Sequence, residues 1–226
     1  MALSAQGHDV TIMGRSEAAL AQAVKDGVAK RGLAVDVTDE QALSKAIADS
    51  DPYDILINNA GAAESAPFAA TGLDLIRRMM AVNVESAFTA SRAVLPGMLK
   101  LESGRIINVA SIAGLKGYAY VSAYCAAKHA VIGLTRALSA ELIKSRITVN
   151  ALCPGYTDTD LIANAAAAIT EKTGLPAAKA IDHFAKTNPS GRLITPDEVA
   201  NAALWLCSEG ASAITGQAIT IAGGDL

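Results

Sequence analysis

Aromatic side chains are scarce, at 4% of 226 residues, and charged ones reach only 18%. Positive charge is not in excess: 19 Lys and Arg stand against 22 Asp and Glu, for a formal net charge of −3. With no basic block, the phosphate-neutralising surface of a nucleic-acid binder is missing, and that class is set aside. No uninterrupted apolar run reaches the roughly 18 to 20 residues that a membrane-spanning helix needs. Nor do the first residues pair a basic stretch with an apolar one, as a secretory leader would. Neither export nor a membrane partner is therefore expected. Cysteine is rare as well. Cys125, Cys153 and Cys207 are odd in number and lack CxxC spacing. That argues against a disulfide framework or zinc site and for a reducing, cytoplasmic setting. His8, His129 and His183 share no ligand spacing, so no metal is expected.

What the chain has in abundance is small and aliphatic residues, with 51% of all positions hydrophobic. Such a composition suits helices packed closely on both faces of a buried sheet. The length suits one globular domain. Strand-like apolar runs alternate with helical periodicity, and no linker or repeat interrupts them. Strands are expected at His8–Met13, Leu33–Asp36, Asp54–Asn58, Arg105–Ala110, Ile147–Leu152 and Ala218–Ile221. Helices are expected from Ser16 to Val24, after Thr38-Asp39-Glu40, and over Leu73–Leu101, Ser122–Lys144 and Pro196–Cys207. This alternation predicts an α/β fold, a doubly wound parallel sheet of the Rossmann type in a single domain spanning 1–226. Its ligand crevice should lie at the carboxyl ends of the strands.

The residues just past those strands carry the chemistry. Asn58-Asn59-Ala60-Gly61 is a small-residue turn that lets backbone approach a ligand closely, although Asn and Gly are also common in ordinary turns. Ser111 ends the fourth of these runs, and thirteen positions later comes Tyr124, followed by Lys128. An i, i+4 pair shares one helix face. A phenol with an ordinary pKa of about 10 is a poor acid-base group at neutral pH unless a nearby cation stabilises its phenolate. Lys128 is such a cation, and Ser111 could donate a hydrogen bond to a carbonyl that Tyr124 protonates. Tyr118 and Tyr120 lack a Lys four residues on and read as pocket lining or packing.

With NNAG at 58–61, Asn83-Val84, Ser111, Tyr124-x-x-x-Lys128 and Pro154-Gly155 in order over nearly the whole chain, the sequence resembles the short-chain dehydrogenase/reductase family. The resemblance implies Tyr124 as catalytic acid-base, Ser111 as polariser of the carbonyl, Lys128 as pKa-lowering cation and ribose anchor, and Asn83 as a relay residue that holds a water. It implies that Asp36 and Val37 touch adenine, that Asn59, Ala60 and Gly61 line the ribose side, and that Pro154, Gly155, Thr157 and Thr159 flank the nicotinamide. It also implies a homo-oligomer, dimer or tetramer, paired through Ser122–Lys144 and the long helix before it. The segments SGRIINVASIAG (103–114) and ALCPGYTDT (151–159) resemble the branch that acts on 3-oxoacyl or 3-hydroxyacyl thioesters of acyl carrier protein or coenzyme A.

One departure bears on the fold. The family's TGxxxGxG turn, whose backbone amides hold the pyrophosphate, appears nowhere in the sequence. The sequence opens inside a helix, Ala2-Leu3-Ser4-Ala5-Gln6, with Gly7 placed to cap it. The expectation is a sheet without its first strand and glycine-rich turn, those parts lying outside the 226 residues. The alternative is a short form of the same fold that binds cofactor poorly, a nucleotide-sensing or scaffolding module. At Gly14-Arg15-Ser16 no acid is present to meet the adenosine 2′-hydroxyl of NAD, and Arg15 offers a guanidinium suited to phosphate. NADP(H) is the expected cofactor, with NAD(H) second. Thr157–Gly191 is longer than ordinary connections and reads as a substrate lid. The reaction expected is hydride transfer between nicotinamide and a ketone or secondary alcohol, with a small-molecule or acyl-thioester substrate.

Overall fold

The computed structural model describes residues 2–50 and 52–225. Short helix α1 (Ala2–Ala5) ends in a turn at Gly7, which takes a positive φ of 85° as expected of a cap. Then follow β1 (Thr11–Gly14), α2 (Glu17–Lys25), β2 (Arg31–Ala34), α3 (Glu40–Ala48) and β3 (Ile55–Asn58). Side chains start the helices where the sequence predicts: Ser16 accepts from Ala19 N at 3.2 Å and Asp39 from Ala42 N at 2.9 Å. The strand expected from His8 starts later, at Thr11. Lys30 N and Arg31 N both donate to Val10 O, so the two segments already meet there, one residue before the regular ladder begins.

The long helix expected over Leu73–Leu101 forms as α4 (Leu73–Met80) and α5 (Ser86–Lys100), joined without a break by a π-helical turn at Ala81–Glu85. Next come β4 (Gly104–Val109), α6 (Ser122–Glu141) and β5 (Ile147–Pro154). The segment between β5 and the later helix is itself an α-hairpin, α7 (Asp160–Thr173) and α8 (Ala177–Thr187). The last elements, α9 (Pro196–Cys207) and β6 (Ala218–Ile221), match their predicted bounds, and α9 opens on a Thr195–Glu198 capping box with Pro196 at its first position.

Every strand pair is parallel, but the strands fall into two sheets, β1-β2 and β3-β4-β5-β6. One continuous sheet needs a strand between β1 and β3, and no described residue supplies it. The consequence shows in burial. The inner strands β4 and β5 are buried along almost their whole length, whereas β1 and β3, whose facing edges are unpaired with each other, are half-buried throughout. Met13 of β1 and Leu56 of β3 nonetheless pack against one core, formed by Leu43, Ile47, Ala90, Val94, Met98, Ile106 and Val149. Alternation along β4 sends Ile106 into that layer and Ile107 into the opposite one, with Leu152, Ala203 and Leu206 under α9.

A polar ladder crosses the inner strands. Asn58 Nδ2 donates to Asn108 Oδ1 at 2.8 Å and to Ser91 Oγ at 3.2 Å, and Asn108 Nδ2 donates to Thr135 Oγ1 at 2.9 Å. These bonds tie β3 and β4 to α5 and α6, fixing how the strand ends meet the helices that carry the site. No helix among the described residues is long and apolar enough to cross a membrane.

Candidate active site

Ser111 stands just beyond β4, where its hydroxyl caps a 3₁₀ turn (Ile112–Gly114) by accepting from Ala113 N at 3.1 Å. That turn lies flush on α6. A Cβ on Gly114 would meet Lys128 O at 2.6 Å and Ile132 Cδ1 at 2.8 Å, so only glycine permits the approach that brings Ser111 to Tyr124 and Lys128. The backbone of Tyr120, left-handed at φ 67°, turns the following loop so that its carbonyl accepts from Ala66 N at 2.8 Å, closing the β4 loop onto the β3 loop.

Lys128 is 5% exposed; its ammonium donates to Val109 O at 2.8 Å and lies 5.7 Å from the centroid of the Tyr124 ring. Burial brings its pKa down to about 8. The Tyr124 phenol is pushed above its ordinary value, chiefly by burial, with the Ser111 hydroxyl pulling the other way. The sequence-based expectation that Lys128 depresses this phenol is therefore not met in the protein alone. The ammonium is directed to the Val109 carbonyl, and burial is the largest influence on the phenol. Cys153, buried beside Lys128, is held up at about 11, also by burial, and remains a thiol.

Asn83 sits in the π-helical turn, 3% exposed. The extra residue in such a turn re-aims a side chain out of the regular helical track. Its amide nitrogen donates to Met79 O and Ala62 O, both at 3.0 Å, while Oδ1 is buried with no partner. A buried acceptor left unpaired costs about 1–3 kcal/mol, so this oxygen marks a place for a donor such as water. Gly61 abuts it: a Cβ there would stand 2.8 Å from Asn83 Oδ1 and 3.6 Å from Lys128 Nζ. Gly61, Asn83 and Lys128 thus meet, with Ser111 and Tyr124 alongside.

The other expected contacts flank this centre. Arg15 is exposed directly after β1, and its charge helps hold down the pKa of Asp36. The larger cause is local: Asp36 Oδ1 accepts from Thr38 N at 2.9 Å and Thr38 Oγ1 at 2.7 Å. Val37, with Val84 and Phe88, borders a cavity of about 380 Å³. Asn59 and Ala60 are exposed beyond β3. On the opposite flank Pro154 ends β5, Gly155 N donates to Ile221 O at 3.0 Å, Thr157 Oγ1 donates to Gly155 O at 3.0 Å and Thr159 Oγ1 to Thr157 O at 3.3 Å. A residue that the sequence does not single out holds this flank. Asn188, fully buried, accepts from Tyr156 N at 3.1 Å and donates to Tyr156 O at 2.9 Å and Arg192 O at 2.8 Å.

A hydroxyl pair, a buried ammonium and an orphaned amide oxygen at the carboxyl ends of parallel strands suit proton delivery to a carbonyl oxygen. Known proteins agree in kind. The family model described as enoyl-(acyl carrier protein) reductase matches residues 1–225. D-beta-hydroxybutyrate dehydrogenase of Cupriavidus necator is 37% identical over 235 residues, covering 99% of this chain and 90% of its own. Among solved structures, a variant of actinorhodin polyketide ketoreductase with NADPH superposes with a TM-score of 0.93 at 31% identity, covering 99% of this chain and 89% of that one. Levodione reductase superposes with a TM-score of 0.91 at 28% identity, covering 98% and 89%. On this match over its whole described length, the chain belongs to the short-chain dehydrogenase/reductase family, whose members are NAD(P)-dependent oxidoreductases of secondary alcohols and ketones.

Proposed function

We propose that this chain reduces the 3-oxo group of an acyl thioester, carried by acyl carrier protein or coenzyme A, with NADP(H) as the preferred cofactor. The observation that carries the reading is the meeting of Ser111, Tyr124 and Lys128 with the unpartnered Asn83 oxygen beside Gly61. When bound, the nicotinamide supplies the hydride. The phenol of Tyr124, kept protonated by burial, gives its proton to the carbonyl oxygen, as a ketone reduction requires. Ser111 donates a hydrogen bond to the same oxygen and stabilises its developing charge. Lys128, charged at neutral pH with its pKa at about 8, favours the phenolate left behind. Asn83 Oδ1 holds a water through which the proton is restored.

The residues fit the two ends of the cofactor. Arg15 suits a 2′-phosphate, Asp36 and Val37 border the adenine side, and Asn59, Ala60, Gly61 and the Pro154, Gly155, Thr157 and Thr159 turn serve the ribose and nicotinamide. Exposed apolar side chains on α4 and α5, Leu73, Ile76, Phe88 and Leu99, support a homo-oligomer. A cytoplasmic setting agrees with the three free cysteines.

The test is oxidation of NADPH by the protein with a panel of 3-oxoacyl thioesters. Tyr124→Phe keeps the ring and removes the proton-transferring oxygen, and should cut turnover by about 100- to 10,000-fold with the fold intact. Rates in the variant equal to the wild type remove Tyr124 from the mechanism. A second reading, a nucleotide-sensing or scaffolding module of this fold, is favoured by the unpaired facing edges of β1 and β3 among the described residues. Calorimetric titration with NADPH separates the two, since the second predicts weak or no binding.

A further inference from the structure

The loops leaving β4, β5 and β6 at their carboxyl ends meet in an arrangement that the roles above leave unused. Lys116 and Tyr118 come from the β4 loop, between Ser111 and Tyr124 in the chain. Tyr156 follows β5, and Phe184 projects from α8. After β6 the chain doubles back through Gly223 and Gly224, at φ 61° and 93°, and presents Asp225. One carboxylate oxygen of Asp225 accepts from the Tyr118 hydroxyl at 2.9 Å, and the other accepts from the Lys116 ammonium. The Asp225 side chain is 12% exposed and that of Lys116 36%, so the pair is partly shielded from solvent. Lys116 also lies 5.2 Å from the Tyr118 ring centroid, which fixes the ring from a second side.

From Tyr118 the contact continues into the hairpin. Tyr118 stands edge-on to Tyr156, with centroids 6.3 Å apart and planes at 81°, and Tyr156 stacks on Phe184 at 5.0 Å. All three rings are half-buried, which is the exposure of a cleft wall and not of core filling. The wall is carried by the loops that carry the reaction centre: Tyr118 lies between Ser111 and Tyr124 in the loop after β4, and Tyr156 directly follows the Pro154-Gly155 turn.

We infer that Asp225 is a positioning residue for substrate choice: by holding Lys116 and Tyr118 it completes, with Tyr156 and Phe184, an aromatic wall that takes the apolar arm of a long 3-oxoacyl thioester in preference to a short one. The inference rests on the reductase reading above. Rigid rings give apolar contact at little cost in side-chain entropy, and each methylene laid against them leaves water. A short substrate that ends in a methyl group gains nothing from this surface. A small anionic acid gains nothing either, because the Lys116 cation on the wall is already neutralised by Asp225.

The probes are the N-acetylcysteamine thioesters of 3-oxobutanoate and 3-oxodecanoate, measured on the 226-residue chain for kcat/KM with NADPH and for binding by calorimetry. The wild type should favour the longer thioester by about tenfold or more in both, the gain from two or so buried methylenes. Asp225→Asn and Tyr118→Phe should each remove most of that preference through KM and Kd of the longer thioester, leaving kcat for the shorter one unchanged. Equal losses on both thioesters would overturn the inference, as would a wild type indifferent to chain length. Turnover without a length preference leaves the reductase reading standing. Tighter binding of the longer thioester without turnover of either overturns the reductase reading and keeps the wall.

Discussion

Gly61 and Asn83 stand so close that a Cβ on the glycine would lie 2.8 Å from the asparagine's amide oxygen. The asparagine cannot swing aside cheaply, because its nitrogen is bonded to both Met79 O and Ala62 O. Gly61→Ala should therefore move Asn83 or the loop beyond β3. The expected result is a loss of about 1–3 kcal/mol in stability, as for overpacking elsewhere. Turnover should fall by up to about a hundredfold, because a displacement near 1 Å at a reacting centre costs that much. Gly72→Ala, where the added Cβ meets nothing within 4 Å, is the control. Thermal denaturation and kcat for both variants decide it, and a Gly61→Ala protein with wild-type turnover would show that the Asn83 position is dispensable.

Lys128 sets stability against activity. A lysine held at about 8 instead of 10.5 costs the folded protein about 3 kcal/mol at neutral pH, since the charged form is the one burial disfavours. The unfolded chain binds more protons than the folded one between those two values, so stability from this group rises with pH from about 8 to about 10.5, and the full cost applies below 8. Lys128→Met keeps the aliphatic bulk and removes the ion. It should raise the denaturant midpoint at pH 7 and flatten the rise in stability above pH 8, while hydride transfer is lost. Urea melts at pH 7 and pH 10 on both proteins check it; a variant destabilised at pH 7 would show that the bond to Val109 O outweighs desolvation.

The parts of this molecule that repeat a local rule were legible in its sequence. Ser16 and Asp39 start helices because their side chains accept backbone N–H groups a turn ahead, which is a property of a few neighbouring residues. Tyr124 and Lys128 share a helix face by spacing alone. What was illegible depends on partners far apart in the chain. The π-helical turn at Asn83 answers to contacts with the β3 loop 21 residues away, and Asn188 finds its use only when α8 returns to Tyr156, 32 residues back. Gly114 reads as a turn residue until α6 is laid across it. The direction of the Tyr124 shift was missed for a similar reason: spacing gives the neighbour, but burial sets how much its charge weighs. The division of the sheet follows from an absence that the sequence did reveal, the lack of a strand with a glycine-rich turn.

The α7–α8 hairpin should close on ligand. It occupies most of Thr157–Gly191, its two helices are joined through the exposed Leu175, and Phe184 rests on Tyr156, next to the Pro154-Gly155 turn. Limited digestion with thermolysin should cut near Leu175 in the free protein and slow several-fold with NADPH and a 3-oxoacyl thioester present, because closure removes the local openings that a protease needs. Mass analysis of the fragments reads the site. Cleavage there at the same rate with and without ligands argues against a closing lid.

Cofactor choice turns on the end of β1. Arg15 is exposed there, Ser16 uses its hydroxyl to cap α2, and no acid stands at Gly14, Arg15 or Ser16. Asp36 beyond β2, whose carboxylate feels the Arg15 charge, has Oδ1 tied to its own turn by two bonds from Thr38, which are the larger cause of its lowered pKa. A 2′-phosphate placed at Arg15 would gain charge-assisted hydrogen bonds that a 2′-hydroxyl cannot match. The wild type should therefore show a higher kcat/KM with NADPH than with NADH. Arg15→Ala should erode that ratio by about 1.5–3 kcal/mol for each charge-assisted bond lost, roughly tenfold or more. NADH kinetics should hardly change, because the hydroxyl never made those bonds. A wild type that prefers NADH, or a ratio that Arg15→Ala leaves unmoved, would place the determinant elsewhere.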